Sequence, residues 1–161
     1  EMEGMLNDYL QFAKTQAKEN TSTINLSNLF IEIKKDIKSE NLTLLNSEET
    51  VLRGRILSLK RCFENVINNG LTYGKKVYVS FHKTSNRIII NIEDDGPGIA
   101  EDQYKNVFKP FFRLDKSRSL NKSGVGLGLA IVEDIINSHG GNIQLGRSQY
   151  NGLQVKISLP F

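Results

Sequence analysis

The sequence is poor in the residues that build disulfides, metal sites and membrane spans. Its one cysteine, Cys62, excludes a disulfide within the chain, and a reducing compartment is the expected setting. Only two histidines, His82 and His139, are present to join that cysteine, so a structural zinc site is not expected. No apolar run approaches the roughly 20 residues that a membrane-spanning helix needs.

Length and charge favour a single domain. The chain has 161 residues, of which 39% are hydrophobic and 24% are charged. A chain of this length buries a sizeable core without help from disulfides or metal ions. The net charge of +3 is too mild to indicate a nucleic-acid partner, and none is expected. The charge is unevenly distributed, because residues 105–122 hold six lysines and arginines against one aspartate. Such a segment is either a solvated surface loop or a loop that binds an anion.

Hydrophobic spacing predicts a mixture of helices and antiparallel hairpins. In chain order, the predicted elements are helices over residues 2–17, 26–37 and 54–71, strands over 41–46, 50–53, 76–81 and 87–93, helices over 101–107 and 129–137, and strands over 142–146 and 153–159. Residues 19–23 are expected to be a linker, Ser27 to cap the second helix, and Ile56 to lie on the apolar face of the third. Without strict β-α-β alternation, this order predicts an α+β fold with helices on one face of a mixed, largely antiparallel sheet.

Two asparagines stand one turn apart on the third predicted helix. Asn65 and Asn69 share a stripe with Arg61, and this stripe is not the apolar one. Asparagine is a modest helix former because its amide competes with the backbone for hydrogen bonds. Two asparagines on one face therefore indicate contact with either solvent or a ligand. Taken alone, the pair fits solvent better.

Two glycine-rich segments follow the asparagine pair. Residues 94–98 read DDGPG, which places a carboxylate at a strand end beside glycines that allow close approach to the backbone. Such a carboxylate can accept a hydrogen bond from an amino group like that of adenine. Residues 124–128 read GVGLG and precede a helix, so their N–H groups and the helix N-terminus suit a polyphosphate. This segment is neither a Walker A loop nor a dinucleotide fingerprint.

In this order, the segments resemble the ATP-binding catalytic domain of sensor histidine kinases, in the family that includes the gyrase, Hsp90 and MutL ATPase domains. Residues 65–69 are similar to its N box, residues 94–98 to its first glycine box, residues 108–112 to its F box and residues 124–128 to its second glycine box. The resemblance covers about residues 26–161. It implies a Bergerat-type two-layer sandwich that binds ATP and Mg²⁺ beneath a mobile lid.

The resemblance implies a role for each matched residue. Asn69 would bind Mg²⁺ through its amide oxygen, Asn65 would lie near the phosphates, and Asp94 would accept from the adenine amine. Arg113 and the basic segment after it would form the lid and offset charge developing on the γ-phosphoryl group. The expected nucleotide-binding residues are Asn65, Asn69, Thr72, Tyr73, Asp94, Gly96, Gly98, Ile99, Arg113, Leu114, Gly124, Val125, Gly126, Leu127, Gly128 and Leu129. The phenylalanines at 108, 111 and 112 either pack in the core and anchor the lid or contact the nucleotide directly.

The resemblance also concerns the reaction. ATPases of the family carry a glutamate at the position of Asn65, where it activates water, and asparagine cannot act as that base. The adjacent Glu64 points about 100° further round the helix. We therefore expect the γ-phosphoryl group to pass to a histidine of a helical hairpin domain in the same or a sister protomer, and then to a response regulator. His82 and His139 are expected to be structural, which leaves the phosphoacceptor histidine outside this chain and no catalytic residue of that kind within it.

The resemblance further implies an organisation. Residues 1–20 would be the C-terminal end of the dimerisation and phosphoacceptor hairpin, and residues 21–161 the catalytic ATP-binding domain. The full-length protein would be a homodimer anchored in the cell membrane, with this domain in the cytoplasm. Two alternatives stay open, namely a catalytically silent nucleotide-binding regulatory module and a GHKL-type ATPase like gyrase and MutL.

The chain departs from the family pattern after the second asparagine. That pattern is Ala-x-Lys/Arg-Tyr, whereas residues 70–73 here read GLTY. Thr72 therefore removes a phosphate-facing cation, for which Lys75 or Lys76 could substitute. Gly70 is expected to cost about 1 kcal/mol of helix propensity relative to alanine.

Restoring the missing cation should strengthen nucleotide binding. We predict that Thr72→Lys lowers the dissociation constant for ATP, because a lysine there adds a charge-assisted hydrogen bond to phosphate. Titration of ATP into both proteins measures the change. An unchanged or weaker affinity would contradict the placement of residue 72 beside the phosphates.

Overall fold

The structure, a computed structural model, describes residues 18–46, 48–110 and 128–161. The helices are α1 (Leu26–Ile37), α2 (Ile56–Tyr73) and α3 (Gly128–Ser138). The strands are β1 (Ser22–Asn25), β2 (Leu42–Leu44), β3 (Val51–Gly54), β4 (Val77–Lys83), β5 (Arg87–Asp94), β6 (Asn142–Arg147) and β7 (Leu153–Pro160). Two 3₁₀ turns, Glu101–Gln103 and Asn106–Phe108, follow β5. The helix predicted over residues 2–17 lies outside the described residues.

Five strands form the main sheet in the order β2-β4-β5-β7-β6. The β2–β4 pair is parallel, and the other three pairs are antiparallel. The predicted mixed, largely antiparallel sheet is therefore confirmed. Strands β1 and β3 form a separate antiparallel sheet, with Ser22 opposite Gly54, which the sequence did not predict. Consequently β2 and β3, adjacent along the chain, belong to different sheets.

The core lies between this sheet and the helices. Alternate residues of the central strands are buried, because side chains of a strand point to opposite faces in turn. The buried strand residues include Val77, Val79, Phe81, Ile88, Ile90, Ile92, Val155, Ile157 and Leu159. The ring centroid of Phe30 on α1 lies 4.9 Å from that of Phe63 on α2 and 5.7 Å from that of Phe81 on β4. Each such buried ring contributes about 1.5–3 kcal/mol, so this cluster holds α1 and α2 against the sheet.

Several local predictions are wrong. The helix α1 is capped by Asn25, whose side chain accepts from the Asn28 N–H (3.1 Å), whereas the Ser27 hydroxyl donates to the Glu48 carbonyl (2.6 Å). Ile56 is 40% exposed, because it lies with Leu57 on the outer side of the first turn of α2, whereas Ser58 and Leu59 of that turn are buried. The helix predicted over 101–107 is two 3₁₀ turns, and the predicted linker over 19–23 ends within β1.

The start of α2 is joined to the end of α3 through His139. The Arg55 N–H donates to His139 Nε2 (3.0 Å), and His139 Nδ1 lies 2.7 Å from the Ile135 carbonyl. Since Nε2 must accept, the proton sits on Nδ1 and the ring is neutral. Burial lowers the pKa of His139, which agrees with the neutral form. His139 is therefore a structural residue, as predicted, whereas His82 is exposed on β4.

None of the helices in the described segments is both long and apolar enough to cross a bilayer. The longest of them, α2, has 18 residues and is amphipathic, with a polar face that carries Arg61, Asn65 and Asn69. That face, and not the buried one, carries the candidate ligand-binding residues of α2.

The lowered pKa of His139 predicts acid sensitivity. The unfolded chain takes up a proton at this ring near pH 6.5, whereas the folded state resists protonation, so stability falls as the pH drops below about 6.5. We predict that His139→Gln flattens the fall in unfolding free energy between pH 7 and pH 5, measured by urea denaturation. The control His82→Gln should keep the wild-type slope. A slope that His139→Gln leaves unchanged would contradict this assignment.

Candidate nucleotide-binding site

The first component of the site is a carboxylate held in place at the end of β5. Asp94 Oδ1 accepts from the Gly96 N–H (2.9 Å) and from the Leu153 N–H (3.1 Å). Burial raises the pKa of Asp94, and the hydrogen bonds from those two amides oppose the rise. Within the described part of the chain, Oδ2 has no hydrogen-bond donor. One oxygen thus fixes the side chain, and the other can accept from a ligand.

Close packing around Asp94 depends on two glycines. A Cβ on Gly152, in the β6–β7 turn, would lie 2.1 Å from Asp94 Oδ1, and a Cβ on Gly70 of α2 would lie 3.5 Å from Asp94 Oδ2. The Gly70 Cβ would also lie 2.6 Å from the Val77 Cγ2 methyl. The expectation that Gly70 merely costs helix propensity is therefore incomplete, since only glycine fits where α2 approaches β4 and β5 this closely.

The next carboxylate ties the first glycine box to the end of α2. Asp95 Oδ1 accepts from the N–H groups of Lys75 (2.7 Å) and Lys76 (2.9 Å). The bond from the Lys76 amide is the leading cause that lowers the pKa of Asp95. The two adjacent aspartates therefore have different roles. Asp95 fastens the turn to the segment that follows α2, and Asp94 keeps one oxygen open to a ligand.

The asparagine pair lies on the polar face of α2, one turn apart. Asn65 and Asn69 are half-buried, and neither amide has a hydrogen-bond partner among residues 18–46, 48–110 and 128–161. A Cβ on Gly128 would lie 3.6 Å from Asn69 Nδ2 and 3.9 Å from its Oδ1, so the end of the second glycine box meets the N box. Two half-buried amides without protein partners in this part of the chain are available to a ligand.

The donor set fits Mg²⁺ bound together with a phosphate. The described residues contain no cluster of three histidine, cysteine, aspartate or glutamate side chains that could bind a metal without help. Mg²⁺ usually keeps several waters, takes one or two protein oxygens and obtains the rest from substrate phosphates. The Asn69 amide oxygen beside Gly128 suits such a ligand. The site thus fits a metal that arrives with its nucleotide.

The other predicted site residues that the structure describes lie close in sequence to Asn69, Asp94 or Gly128. Gly96 packs on the end of α2, where its Cβ would lie 2.9 Å from the Tyr73 carbonyl, and Gly98 has φ +72° next to Gly152. The Tyr73 side chain is 47% exposed. Half-buried positions are held by Ile99, Thr72 and Leu129. The remaining predicted residues, Arg113, Leu114, Gly124, Val125, Gly126 and Leu127, lie outside the described residues, as do Phe111 and Phe112.

Phe108 points to a groove and not into the core cluster. It lines a cavity of about 700 Å³, which Glu133 on α3 and Ile143 and Leu145 on β6 also line. Its neighbour Val107 is buried and packs in the interior. Among the described residues, this cavity includes none of the asparagines or Asp94, so the structure gives Phe108 no contact with that part of the site.

Sequence reasoning missed the contribution of the β6–β7 turn. The turn itself was predicted, but its contact with Asp94 through Gly152 and Leu153 depends on β5 and β7 being neighbours. Glu93, buried on β5, accepts from the Gln149 N–H of the same turn (3.3 Å). No local signal in the sequence marks these residues, since the contacts arise only from strand order.

Comparison with known proteins identifies the family. Residues 54–161 match the family described as the histidine kinase-, DNA gyrase B-, and HSP90-like ATPase. The chain belongs to this family. The sensor histidine kinase GtrS of Pseudomonas aeruginosa is 32% identical over 99% of this chain and 33% of its own length. The sensor histidine kinase CpxA of Escherichia coli is 32% identical over 99% of this chain and 37% of its own length.

Solved structures agree with that assignment. The histidine kinase domain of the E. coli osmosensor EnvZ is 34% identical, with a TM-score of 0.65, over 86% of this chain and 88% of its own. The mycobacterial sensor histidine kinase MprB has the same fold, with a TM-score of 0.74 at 23% identity, over 88% of this chain and 97% of its own. The resemblance to the sensor histidine kinase catalytic domain is thus confirmed. The chain spans about a third of the length of the curated relatives it matches.

The tight contact at Gly70 yields a prediction. Gly70→Ala should destabilise the domain and weaken ATP binding, because its new methyl group must displace Val77 and crowd Asp94. We expect a loss of about 1–3 kcal/mol of unfolding free energy, although alanine alone favours a helix. The control Asn68→Ala, at an exposed position of α2, should leave stability equal or slightly higher. A more stable Gly70→Ala protein would contradict this packing.

Proposed function

We propose that this domain binds Mg-ATP and transfers the γ-phosphoryl group to a histidine on a helical hairpin domain outside the chain, for relay to a response regulator. The observation that carries the proposal is the joint placement of Asp94, Asn69 and Gly128. A fixed carboxylate with one open oxygen lies at one end of the site, and an amide beside the start of α3 lies at the other. That arrangement suits adenine at the first end and a metal-bound triphosphate at the second.

The side chains on α2 favour transfer over hydrolysis. Hydrolysis needs a general base beside the γ-phosphate, and Asn65 cannot accept a proton. Its neighbour Glu64 lies about 100° further round α2 and so does not share the stripe that holds both asparagines. Burial raises the pKa of the Glu64 carboxyl, and the α1 acids Asp36 and Glu32 are among the charges that act on it. A site without a general base to activate water is suited to a nucleophile that needs no deprotonation before it attacks, such as the neutral nitrogen of a histidine ring.

Different residues of the chain would bind the metal, the phosphates and the adenine. Asn69 would hold Mg²⁺ by its amide oxygen, and the metal would neutralise charge on the phosphates when bound. Asn65 would contact the phosphates, and Gly96, Gly98 and Ile99 would shape the adenine pocket. We propose that Gly124–Leu129 supplies backbone N–H groups to the phosphates, and that Arg113 and Leu114 belong to the lid.

The proposal extends to the whole protein. Residues 1–20 would end the hairpin domain that carries the acceptor, in the same or a sister protomer of a homodimer, and residues 21–161 would form the catalytic domain. The relatives GtrS and CpxA are named sensor histidine kinases, which supports a response regulator as the partner. The single buried cysteine suits a reducing cytoplasm, with the full-length protein anchored in the cell membrane.

The transfer reaction can be tested directly. The intact kinase, incubated with γ-labelled ATP and Mg²⁺, should acquire acid-labile label on histidine without steady release of phosphate. Asn69→Ala should reduce labelling at least tenfold, because the metal loses its protein ligand. Asn137→Ala, an exposed asparagine on α3, is the matched control and should label normally.

Two outcomes would contradict the proposal. Steady phosphate release that matches or exceeds labelling would favour an ATPase of the gyrase and MutL type. Tight binding of Mg-ATP with neither labelling nor release would favour a silent nucleotide-binding module.

A further inference from the structure

The helix that carries both asparagines begins without a capping side chain of its own. Its N-cap position is Arg55, which makes no side-chain capping bond, and its first turn has no acidic residue. The first N–H groups of a helix have no partner within the helix, so a cap must come from elsewhere. Here it comes from residue 19, which precedes the whole ATP-binding fold.

The Glu19 carboxylate supplies that cap from 38 residues away. Glu19 Oε2 accepts from the Leu57 N–H (2.7 Å), and Oε1 accepts from the Ser58 N–H (3.0 Å) and the Ser58 hydroxyl (2.8 Å). Both carboxylate oxygens are therefore used, and the negative charge lies at the positive end of the α2 dipole. Ser58 is 3% exposed, so one partner of the contact is fixed in the core.

The same region is tied to the end of α3. The Arg55 guanidinium donates to the Ser138 hydroxyl, and the Arg55 N–H donates to His139. Glu19 also lies close enough to His139 to act on its charge. Glu19, Arg55, Ser58, Ser138 and His139 together form what we call the Glu19 joint. It fixes the chain at residue 19 against the ends of both helices that flank the candidate nucleotide site.

We infer that Glu19 is a positioning residue for phosphoryl transfer, which sets the direction in which the phosphoacceptor hairpin leaves the catalytic domain. The inference rests on the proposed function, in which the hairpin ends near residue 20. An α-helix transmits position along its axis, and α2 runs from the Glu19 joint to Asn65 and Asn69. A bidentate contact at its start restricts the orientation of the attached hairpin, which raises the effective concentration of the acceptor histidine at the γ-phosphate.

The inference predicts a loss of turnover without a loss of nucleotide binding. In the intact kinase, Glu19→Ala should lower kcat for autophosphorylation by about 5- to 20-fold. The KM and Kd for ATP should change less than twofold, because Asp94 and Asn69 are untouched. Glu40→Ala, which removes an exposed acid between α1 and β2, is the matched control and should change neither constant.

Two further measurements separate positioning from general damage. Hydrogen exchange should quicken at the Leu57 and Ser58 amides in Glu19→Ala, and Glu19→Gln, which keeps one accepting oxygen, should give an intermediate kcat. Ser58→Ala removes one of the three bonds, so it should lower kcat less than Glu19→Ala does and have no further effect in the Glu19→Ala background.

The contradicting results are distinct. If the wild-type kinase labels a histidine and Glu19→Ala has an unchanged or raised kcat, the inference is overturned. Unchanged hydrogen exchange at the Leu57 and Ser58 amides in Glu19→Ala also overturns it. A parallel loss of ATP affinity would show a purely structural role and also overturn it. If the wild-type kinase binds Mg-ATP but never labels a histidine, the proposed function fails and this inference falls with it.

Discussion

The candidate site depends on one half-buried carboxylate, of which one oxygen is bonded to the protein and the other is open to a ligand. Asp94 Oδ1 takes two backbone N–H groups, one from the turn after β5 and one from the start of β7. Those bonds hold the side chain in one orientation and offset part of the cost of burying it. Gly70 and Gly152 lie where α2 and the β6–β7 turn approach this group, and a Cβ at Gly152 would lie 2.1 Å from Asp94 Oδ1. Without these contacts, neither the Asp94 side chain nor the turn of the first glycine box would be held in one position.

Helix α2 connects the chemistry to the scaffold. Its buried face packs Phe63 against Phe30, and its polar face carries Asn65 and, beside Gly128, Asn69. Its start is held by Glu19, and the segment that follows its C-cap is held by Asp95 through the amides of Lys75 and Lys76. Carboxylates from distant parts of the sequence thus bond the start of the helix and the chain just after its end. The asparagines on this helix are therefore positioned by contacts that lie outside the candidate site itself.

Much of the fold was predictable because local hydrophobic spacing determines most of its helices and strands. The hairpin of β4 and β5, the closing strands and the helix ahead of His139 follow from period-2 and period-3.6 spacing. The cap of α1 was misassigned to Ser27 because Asn25 and Ser27 both satisfy the local rule, and only the contact with Glu48 separates them. The pairing of β1 with β3 was missed because neither strand carries a sign of its partner.

The sequence motifs predicted which residues could contact a ligand, but they did not predict the residues that hold those side chains in place. Asn69 lies beside Gly128, and Asp94 Oδ1 accepts from the Gly96 N–H, whereas a shared role of these residues in binding one ligand stays a prediction. Leu153, Gly152 and the capping role of Glu19 were not predicted, since each depends on which elements are neighbours in space. Residues that touch a ligand have characteristic types and spacing, whereas residues that hold them in place are ordinary amino acids in particular positions.

Calorimetric titration of Mg-ATP into Asp94→Asn and the wild-type domain tests the central claim most directly. Asparagine can orient its oxygen toward the Gly96 and Leu153 amides, as Oδ1 does, but its NH₂ group cannot accept from the adenine amine. The account predicts an unchanged thermal unfolding midpoint and an affinity about 10- to 100-fold weaker, which corresponds to about 1–3 kcal/mol. Equal affinity in the two proteins, or no binding heat from the wild type, would contradict it.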